Sequence, residues 1–137
     1  MSKDIAIGID VGGTKIAFVA IDRSGEILQS HHLPTLVPDG ADAVFAQVAK
    51  GTRWIIDAVD TPIAGIGIGT PGHLNPHTGL VYKATNMYWE NINILEGIRK
   101  HLGDQFPMWL QKDGNAAAFG EKTFGAAKGE TDFVLIT

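Results

Sequence analysis

The spacing of apolar residues changes along the chain, and this change most constrains the fold. Ile5, Ile7 and Ile9 alternate with small residues, which is the pattern of a β-strand that buries one face. Further on, apolar residues from Val44 to Val59 recur at the spacing of a helix. Strand and helix patterns then alternate. This alternation predicts an α/β fold with a mixed sheet.

Turn residues divide the sequence into an ordered set of elements. The predicted order is β-β-β-α-β-α-β-α, with a mixed five-stranded sheet. Because the apolar residues 132–137 also have the character of a strand, and a strand needs neighbours, we expect the chain to be one lobe of a longer protein. The predicted strands cover residues 5–9, 15–21, 26–33, 63–69 and 108–112, and the helices lie within residues 44–59, 95–102 and 115–124.

Polar residues and a glycine mark the predicted helix ends. Asp39 or Asp42 can cap the first helix, because a carboxylate oxygen accepts hydrogen bonds from the free N–H groups of the first turn. Asn93 is placed to cap the second helix in the same way. Gly103 follows the last apolar residue of that helix and is expected to end it.

Composition limits the classes of function. The 137 residues are 45% hydrophobic and 19% charged, as in a compact soluble domain. The net charge of −4 argues against nucleic acid as the main partner, since nucleic-acid binding usually needs a basic face. The chain has no cysteine, which excludes disulfides and thiolate metal sites within it. We find no targeting or membrane-spanning pattern and expect a cytoplasmic protein.

The segment DVGGTK, residues 10–15, is the most informative motif. Gly12 and Gly13 lie between two predicted strands, where they allow a tight turn and a close approach of the backbone to a ligand. Successive amides in such a turn can bind an anion, Asp10 can hold a hydrated Mg²⁺, and Lys15 can meet phosphate charge. An ordinary Gly-Gly hairpin that binds nothing explains the same six residues, and on this motif alone it is the favoured interpretation.

Two other patterns do not support the sites that they formally match. Residues 67–72 read G-x-G-x-x-G after a predicted strand, but loop residues follow where a dinucleotide site needs a helix. His73 and His77 have the separation of a metal pair on a helix, but Pro76 prevents that helix. We therefore expect neither a Rossmann site nor a histidine metal site.

Lys112 and Asp113 stand where a predicted strand ends and a helix begins. Asp113 can act as a general base at the carboxyl edge of the sheet, where ligands of α/β domains bind. Alternatively, Asp113 or Asn115 is only the N-cap of the helix. The local pattern leaves both interpretations open.

Four segments of the chain form an ordered set. They are IGIDVGGTK at residues 7–15, GIGIGTPGHLNPHTGLV at 65–81, Thr85-Asn86 with the following WEN at 89–91, and KDGNAAAFGEKTFGAAKG at 112–129. In order and spacing this set resembles the ROK family of sugar kinases and sugar-responsive repressors, over nearly the whole chain. The resemblance implies that residues 1–137 are the amino-terminal lobe of a two-lobed actin-like, hexokinase-like ATPase with a ribonuclease H-like fold.

The resemblance also implies an activity. A complete protein of this kind would use ATP and Mg²⁺ to phosphorylate a hexose or an N-acylhexosamine, as a homodimer that needs neither a membrane nor nucleic acid. Zinc is implied only for the part of the family chain beyond residue 137. The 137 residues alone would be inactive, because they form one wall of the cleft. The alternative is a sugar-responsive transcriptional regulator of the same family. Because the first strand begins by Ile5, we expect no DNA-binding domain before it.

The roles of individual residues follow from the same resemblance. Asp113 matches the catalytic base that takes the proton from the sugar hydroxyl. The phosphate-binding hairpin for ATP would comprise Asp10, which holds Mg²⁺ through water, and Gly12, Gly13, Thr14 and Lys15; the sugar would contact Gly72, His73, Thr85, Asn86, Lys112 and Asp113.

One position departs from the family pattern. The residue before the catalytic Asp is usually Asn, which hydrogen-bonds sugar hydroxyls, and here it is Lys112. An ammonium group only donates hydrogen bonds, whereas Asn both donates and accepts. Lys112 therefore either faces the sugar and narrows the accepted stereochemistry, or is a solvated lysine while Asn86 or His73 makes the contact. A sugar-binding protein without catalysis is a third reading, against which Asp10 and Asp113 argue.

Overall fold

The computed structural model describes residues 4–136, and it arranges the two apolar patterns as a sheet covered by helices. Two short 3₁₀ turns, Val37–Asp39 and Thr85–Met87, link the longer elements. The strands are β1 (Ile5–Val11), β2 (Lys15–Ile21), β3 (Ile27–Pro34), β4 (Ile63–Thr70), β5 (His73–Asn75), β6 (Leu80–Ala84), β7 (Trp89–Asn93) and β8 (Met108–Lys112), and the helices are α1 (Ala41–Val59), α2 (Ile94–Leu102) and α3 (Asp113–Phe124).

The predicted mixed five-stranded sheet is confirmed. Its strand order is β3-β2-β1-β4-β8. The first three strands form an antiparallel meander, because tight turns join them. β4 then pairs parallel to β1, and β8 pairs parallel to β4, each after a helical crossover. The carboxyl ends of β1, β4 and β8 therefore meet at one edge of the sheet.

The hydrophobic core lies between one face of this sheet and the helices α1 and α2. Alternate residues of each central strand point into it, as the period of two requires. α1 presents a stripe of buried side chains at helical spacing toward the sheet. The largest fully buried side chains include Phe18, Ile5, Ile7, Ile16, Ile55, Ile66 and Ile98.

A second sheet, which the sequence analysis assigned to loops, connects β4 to α2. It is antiparallel, with the order β5-β6-β7. Its strands have only three or five residues, too few for an alternating pattern to stand out. Between β5 and β6, the Asn75 side chain accepts hydrogen bonds from the N–H groups of His77 and Thr78, which closes a turn.

Two predictions about helix α2 are confirmed, and those about the caps of α1 are wrong. The Asn93 side chain accepts a hydrogen bond from the N–H of Glu96 at 3.0 Å, and Gly103 ends α2 with a φ of 90°. Gly40 occupies the N-cap of α1, and no side chain in the described residues caps this helix. Asp39 instead lies in the preceding 3₁₀ turn, and Asp42 binds the His101 ring at 2.8 Å.

The end of the chain also differs from the prediction. α3 begins at Asp113, two residues earlier than expected. Residues 132–136 form no strand, and Thr137 lies outside the described residues. The five-stranded sheet ends at β8, so the apolar residues 133–136 have no strand beside them within residues 4–136 and are exposed. Across residues 4–136, no helix is both long enough and apolar enough to cross a membrane.

The contact between α1 and the sheet predicts a stability difference. A Cβ placed on Gly51 of α1 would lie 2.2 Å from Cζ of the fully buried Phe18. We expect Gly51→Ala to lower the free energy of unfolding by about 1–3 kcal/mol, because the added methyl group overlaps a buried ring and forces the ring or the helix to shift. Gly120→Ala is the matched control, since a Cβ on Gly120 of α3 meets nothing within 4 Å.

Denaturant unfolding of both variants measures this difference. Gly120→Ala is expected to keep or raise the free energy of unfolding, because alanine has the higher helix propensity. Equal behaviour of the two variants would show that Phe18 does not restrict Gly51.

Candidate functional site

The turn between β1 and β2 is a tight hairpin that requires glycine at position 12. The N–H of Gly12 donates a hydrogen bond to the carbonyl of Lys15 at 3.0 Å. A Cβ on Gly12 would lie 2.8 Å from that same oxygen, closer than real Cβ contacts come. Gly12 thus serves the close approach of the two strands, while Gly13 and Thr14 form the tip of the turn.

The hairpin tip lies against one of the predicted sugar loops. A Cβ on Gly13 would stand 3.5 Å from Nδ2 of Asn86 and 3.7 Å from its carbonyl oxygen. Asn86 belongs to the 3₁₀ turn that follows β6, with Thr85 exposed at its start. The structure therefore brings Asn86, which the sequence analysis assigned to the sugar, beside a residue assigned to the phosphates.

Asp10 and Asp113 meet at the carboxyl edge of the large sheet. Asp10 is paired with Gly69 of β4, on the sheet face opposite α1. The Cα of Asp113 lies 3.7 Å from the place where a Cβ on Gly69 would stand, so α3 begins directly over this glycine. A larger side chain at position 69 would press against the first turn of α3, where Asp113 Cα and Ala116 Cβ lie within 4 Å.

The electrostatics of this edge are visible at Asp10. Its carboxyl group stays accessible, but the surrounding protein removes enough water to raise its pKa above the ordinary value. The nearby Asp113 carboxylate raises the pKa of Asp10 further, and the Lys15 ammonium acts in the opposite direction. The pKa of Asp10 therefore depends on Asp113, which the sequence analysis assigned to catalysis, and on Lys15, which it assigned to phosphate binding.

Asp113 is the first residue of α3 and does not cap it. Lys112 holds the N-cap position, and none of the described residues caps α3 through its side chain. Asp113 Oδ1 instead accepts a hydrogen bond from the adjacent Gly114 N–H at 2.8 Å. The capping interpretation of Asp113 and Asn115 is therefore wrong. The Asp113 side chain is exposed, as a group that meets a ligand must be.

Lys112 lies at the end of β8, opposite Thr70 of β4. Its backbone N–H donates a hydrogen bond to Oε1 of Gln111 at 2.9 Å, and the same oxygen accepts from Nδ2 of Asn115 at 3.2 Å. The Gln111 side chain thus links the end of β8 to the first turn of α3 by hydrogen bonds. The Lys112 side chain is exposed. β5, the strand that carries His73, lies beside β8.

Gly72 and His73 have different roles in the small sheet. Gly72 has a φ of 106°, and a Cβ on it would lie 2.4 Å from the carbonyl oxygen of Lys83. This backbone contact and the positive φ both require glycine at position 72. His73 pairs with Lys83 in the β5–β6 ladder and is exposed.

The donor set at this edge fits a magnesium–nucleotide complex. Asp10 offers an accessible carboxylate oxygen, which is the ligand type that Mg²⁺ prefers, and it can act through water. Lys15 is exposed one residue beyond the hairpin tip and offers a positive charge. The tip itself contains Gly13, whose missing Cβ lets a phosphate approach the backbone.

Sequence reasoning missed three residues that shape this site. Thr35 is fully buried behind the hairpin, and its Oγ1 donates a hydrogen bond to the Gly12 carbonyl at 2.8 Å. Gly69 leaves room for the first residue of α3, and the Gln111 side chain accepts a hydrogen bond from the backbone of Lys112. A strand-end glycine was visible in the sequence, but Thr35 carries no local signal because its partner is 23 residues away.

Comparison with known proteins agrees with this geometry. Residues 6–137 match the model of the ROK family. The chain is 36% identical over 134 residues to a glucokinase from Streptomyces coelicolor. This alignment covers 97% of this chain and 40% of the glucokinase. It is also 30% identical over 133 residues to a xylose repressor from Bacillus spizizenii, covering 94% of this chain and 33% of that protein.

A solved structure shows the same fold. The ROK family glucokinase from Streptomyces griseus, in complex with glucose and AMPPNP, superposes with a TM-score of 0.81 at 30% sequence identity. The match covers 91% of this chain and 38% of that chain. The chain thus spans about two fifths of the length of the relatives that it matches. By its sequence and its fold, the chain belongs to the ROK family.

Proposed function

We propose that this chain is the amino-terminal lobe of an ATP-dependent kinase that phosphorylates a hexose or an N-acylhexosamine. The observation that carries the proposal is the meeting of Asp113, Asp10 and the Gly12–Gly13 hairpin at one edge of the sheet. A glucokinase that is 36% identical, and a glucokinase of the same fold solved with glucose and AMPPNP, support this reading.

Asp113 is the residue proposed to act as the general base. Its carboxylate accepts the proton of the attacking sugar hydroxyl, whose oxygen bonds to the γ-phosphorus of ATP. The bond from that phosphorus to the β–γ bridging oxygen breaks, and ADP leaves. Asp113 is suited to this role because it is exposed and lies at the strand ends, and because none of the described side chains forms an ion pair with it.

The other predicted residues position the two substrates. Gly12, Gly13 and Thr14 would approach the ATP phosphates, and Lys15 would meet their charge. Asp10 would hold Mg²⁺ through water, and the bound ion would neutralise phosphate charge. The second lobe would complete the cleft and exclude water during transfer. Gly72, His73, Thr85, Asn86 and Lys112 would line the sugar side, where Asn86 also supports Gly13.

The alternative function is sugar-responsive control of transcription, which the related xylose repressor supports. The presence of both Asp10 and Asp113 beside the hairpin favours the kinase. The homodimer, the ATP requirement and the absence of a nucleic-acid partner stay predictions. Sugar-dependent release of ADP by the complete protein is the assay that separates the two functions.

Replacement of Asp113 tests the proposed base. We expect Asp113→Asn in the complete protein to lower kcat by roughly two to four orders of magnitude, because Asn keeps the shape but cannot accept the proton. The affinity for sugar should stay within about threefold. Asp57→Asn, an exposed carboxylate on α1, is the matched control. A near-normal kcat for Asp113→Asn would exclude Asp113 as the base.

Replacement of Lys112 tests the specificity hypothesis. If Lys112 faces the sugar, Lys112→Asn should change the preference order among glucose, mannose, allose and their N-acetyl amines, since Asn adds an acceptor where the ammonium only donates. The measurement is kcat/KM for each sugar. Ratios that all stay within threefold of the unsubstituted enzyme would mean that Lys112 is a solvated strand-end lysine.

The raised pKa of Asp10 predicts that the stability of the fold depends on pH. Because its pKa is raised in the folded state, its ionisation favours unfolding at neutral pH. We expect Asp10→Asn to increase the free energy of unfolding at pH 7. The increase should shrink as the pH falls through the raised folded pKa and vanish below about 3.9, the ordinary pKa of Asp. Unfolding measured between pH 4 and pH 7.5 checks the sign, and a loss of stability at pH 7 would contradict it.

A further inference from the structure

Thr35 contacts the hairpin without belonging to it. It directly follows β3 and is fully buried. Its Oγ1 donates a hydrogen bond to the carbonyl of Gly12 at 2.8 Å, and its backbone N–H donates to the carbonyl of Thr14 at 3.0 Å. One residue therefore holds the backbone just before the hairpin tip, at Gly12, and within it, at Thr14.

The first of these bonds controls the direction of an amide. The peptide unit between Gly12 and Gly13 is planar and trans, so the Gly12 carbonyl and the Gly13 N–H point in opposite directions. A carbonyl held toward Thr35 therefore directs the Gly13 N–H away from Thr35. Without that bond, a peptide unit between two glycines rotates easily, because neither residue has a Cβ to restrict it.

The residue after Thr35 has an unusual backbone conformation. Leu36 has a φ of 64°, in the left-handed region that costs a leucine energy. This residue turns the chain out of β3 into the 3₁₀ turn Val37–Asp39. Pro34 still pairs with Lys15 at the end of β3. Thr35 thus sits between the last rung of the ladder and a strained turn, with its hydroxyl facing the hairpin.

We propose that Thr35 is a positioning residue for nucleotide binding: by holding the Gly12 carbonyl, it keeps the Gly13 N–H directed at the phosphates of ATP. The inference rests on the proposed function of the hairpin. Thr35 need not touch the nucleotide, because it acts through the Gly12–Gly13 peptide unit. The hydroxyl, and not only the volume of the side chain, carries the effect.

The structure offers a matched control for this hydroxyl. Thr52 is also fully buried, and its Oγ1 donates to the Val48 carbonyl at 2.7 Å, inside α1. Thr52→Val therefore makes the same chemical change as Thr35→Val, away from the hairpin. Thr35→Ala removes the hydroxyl without adding a methyl group, and Thr35→Ser keeps it. Circular dichroism shows first which variants of the complete protein fold.

The first measurement is the affinity of the complete protein for AMPPNP by calorimetry, without sugar. We expect Thr35→Val and Thr35→Ala to weaken it by roughly three- to thirtyfold, the scale of one lost hydrogen bond at a binding group. Thr35→Ser and Thr52→Val should stay within about twofold. An unchanged affinity in every folded Thr35 variant, or an equal loss in Thr52→Val, overturns the proposal.

The second measurement does not depend on a nucleotide. Hydrogen–deuterium exchange of the peptide over residues 10–16 in the complete protein should be faster in Thr35→Val than in Thr52→Val, because the hairpin loses its buried anchor. Unchanged exchange overturns the proposal. If the unsubstituted protein binds AMPPNP but releases no ADP with any sugar, only the kinase function is contradicted. The two measurements above then still decide whether Thr35 positions the hairpin.

Discussion

The parallel pairing of β1 with β4, and of β4 with β8, is the constraint on which the site depends. Strands that run in the same direction end at the same edge, so Asp10, Gly69 and Gln111 lie side by side in register. α3 begins at the next turn of the chain, which places Asp113 beside Asp10. An antiparallel β8 of five residues would move Asp113 to the opposite edge, about 16 Å away.

Once the strand ends meet, glycine decides how closely the chain segments approach. Gly12 allows the two strands of the hairpin to close on each other, and Gly69 leaves room for the start of α3. Gly72 allows the chain just before β5 to approach the backbone of Lys83 in β6. These contacts are made by backbone atoms. A site built on backbone needs rigid support, which the buried face of the sheet and α1 supply.

The arrangement that suits a ligand is not the most stable one for the fold. Asp10 keeps a partly desolvated carboxyl group near a second carboxylate, and Lys15 only partly compensates. Leu36 adopts a left-handed backbone conformation behind the hairpin. Both features lower stability where the chain meets the proposed nucleotide, and the large core on the other side of the sheet offsets them.

Much of this could be predicted from the sequence, because the physical signals are local. The alternating isoleucines of β1, the helical stripe of α1, the Asn93 cap and the Gly103 stop each depend on neighbours within one or two turns of chain. The prediction failed where the signal was weak or competing. Strands as short as β5 show no period, and Asp42 has its carboxylate bound to His101 rather than to the start of α1.

The sequence by itself determined the order of the three helices and of the five strands of the large sheet, and the residue types that reach those strand ends, because these follow from hydrophobic period and turn chemistry. Only the tertiary structure decided which of those residues meet. It brought Asp10 and Asp113 together across Gly69, put Asn86 against Gly13, and placed Thr35 behind the hairpin. Contacts of this kind join residues far apart in the chain, and the sheet register that creates them appears only when all the strands have paired.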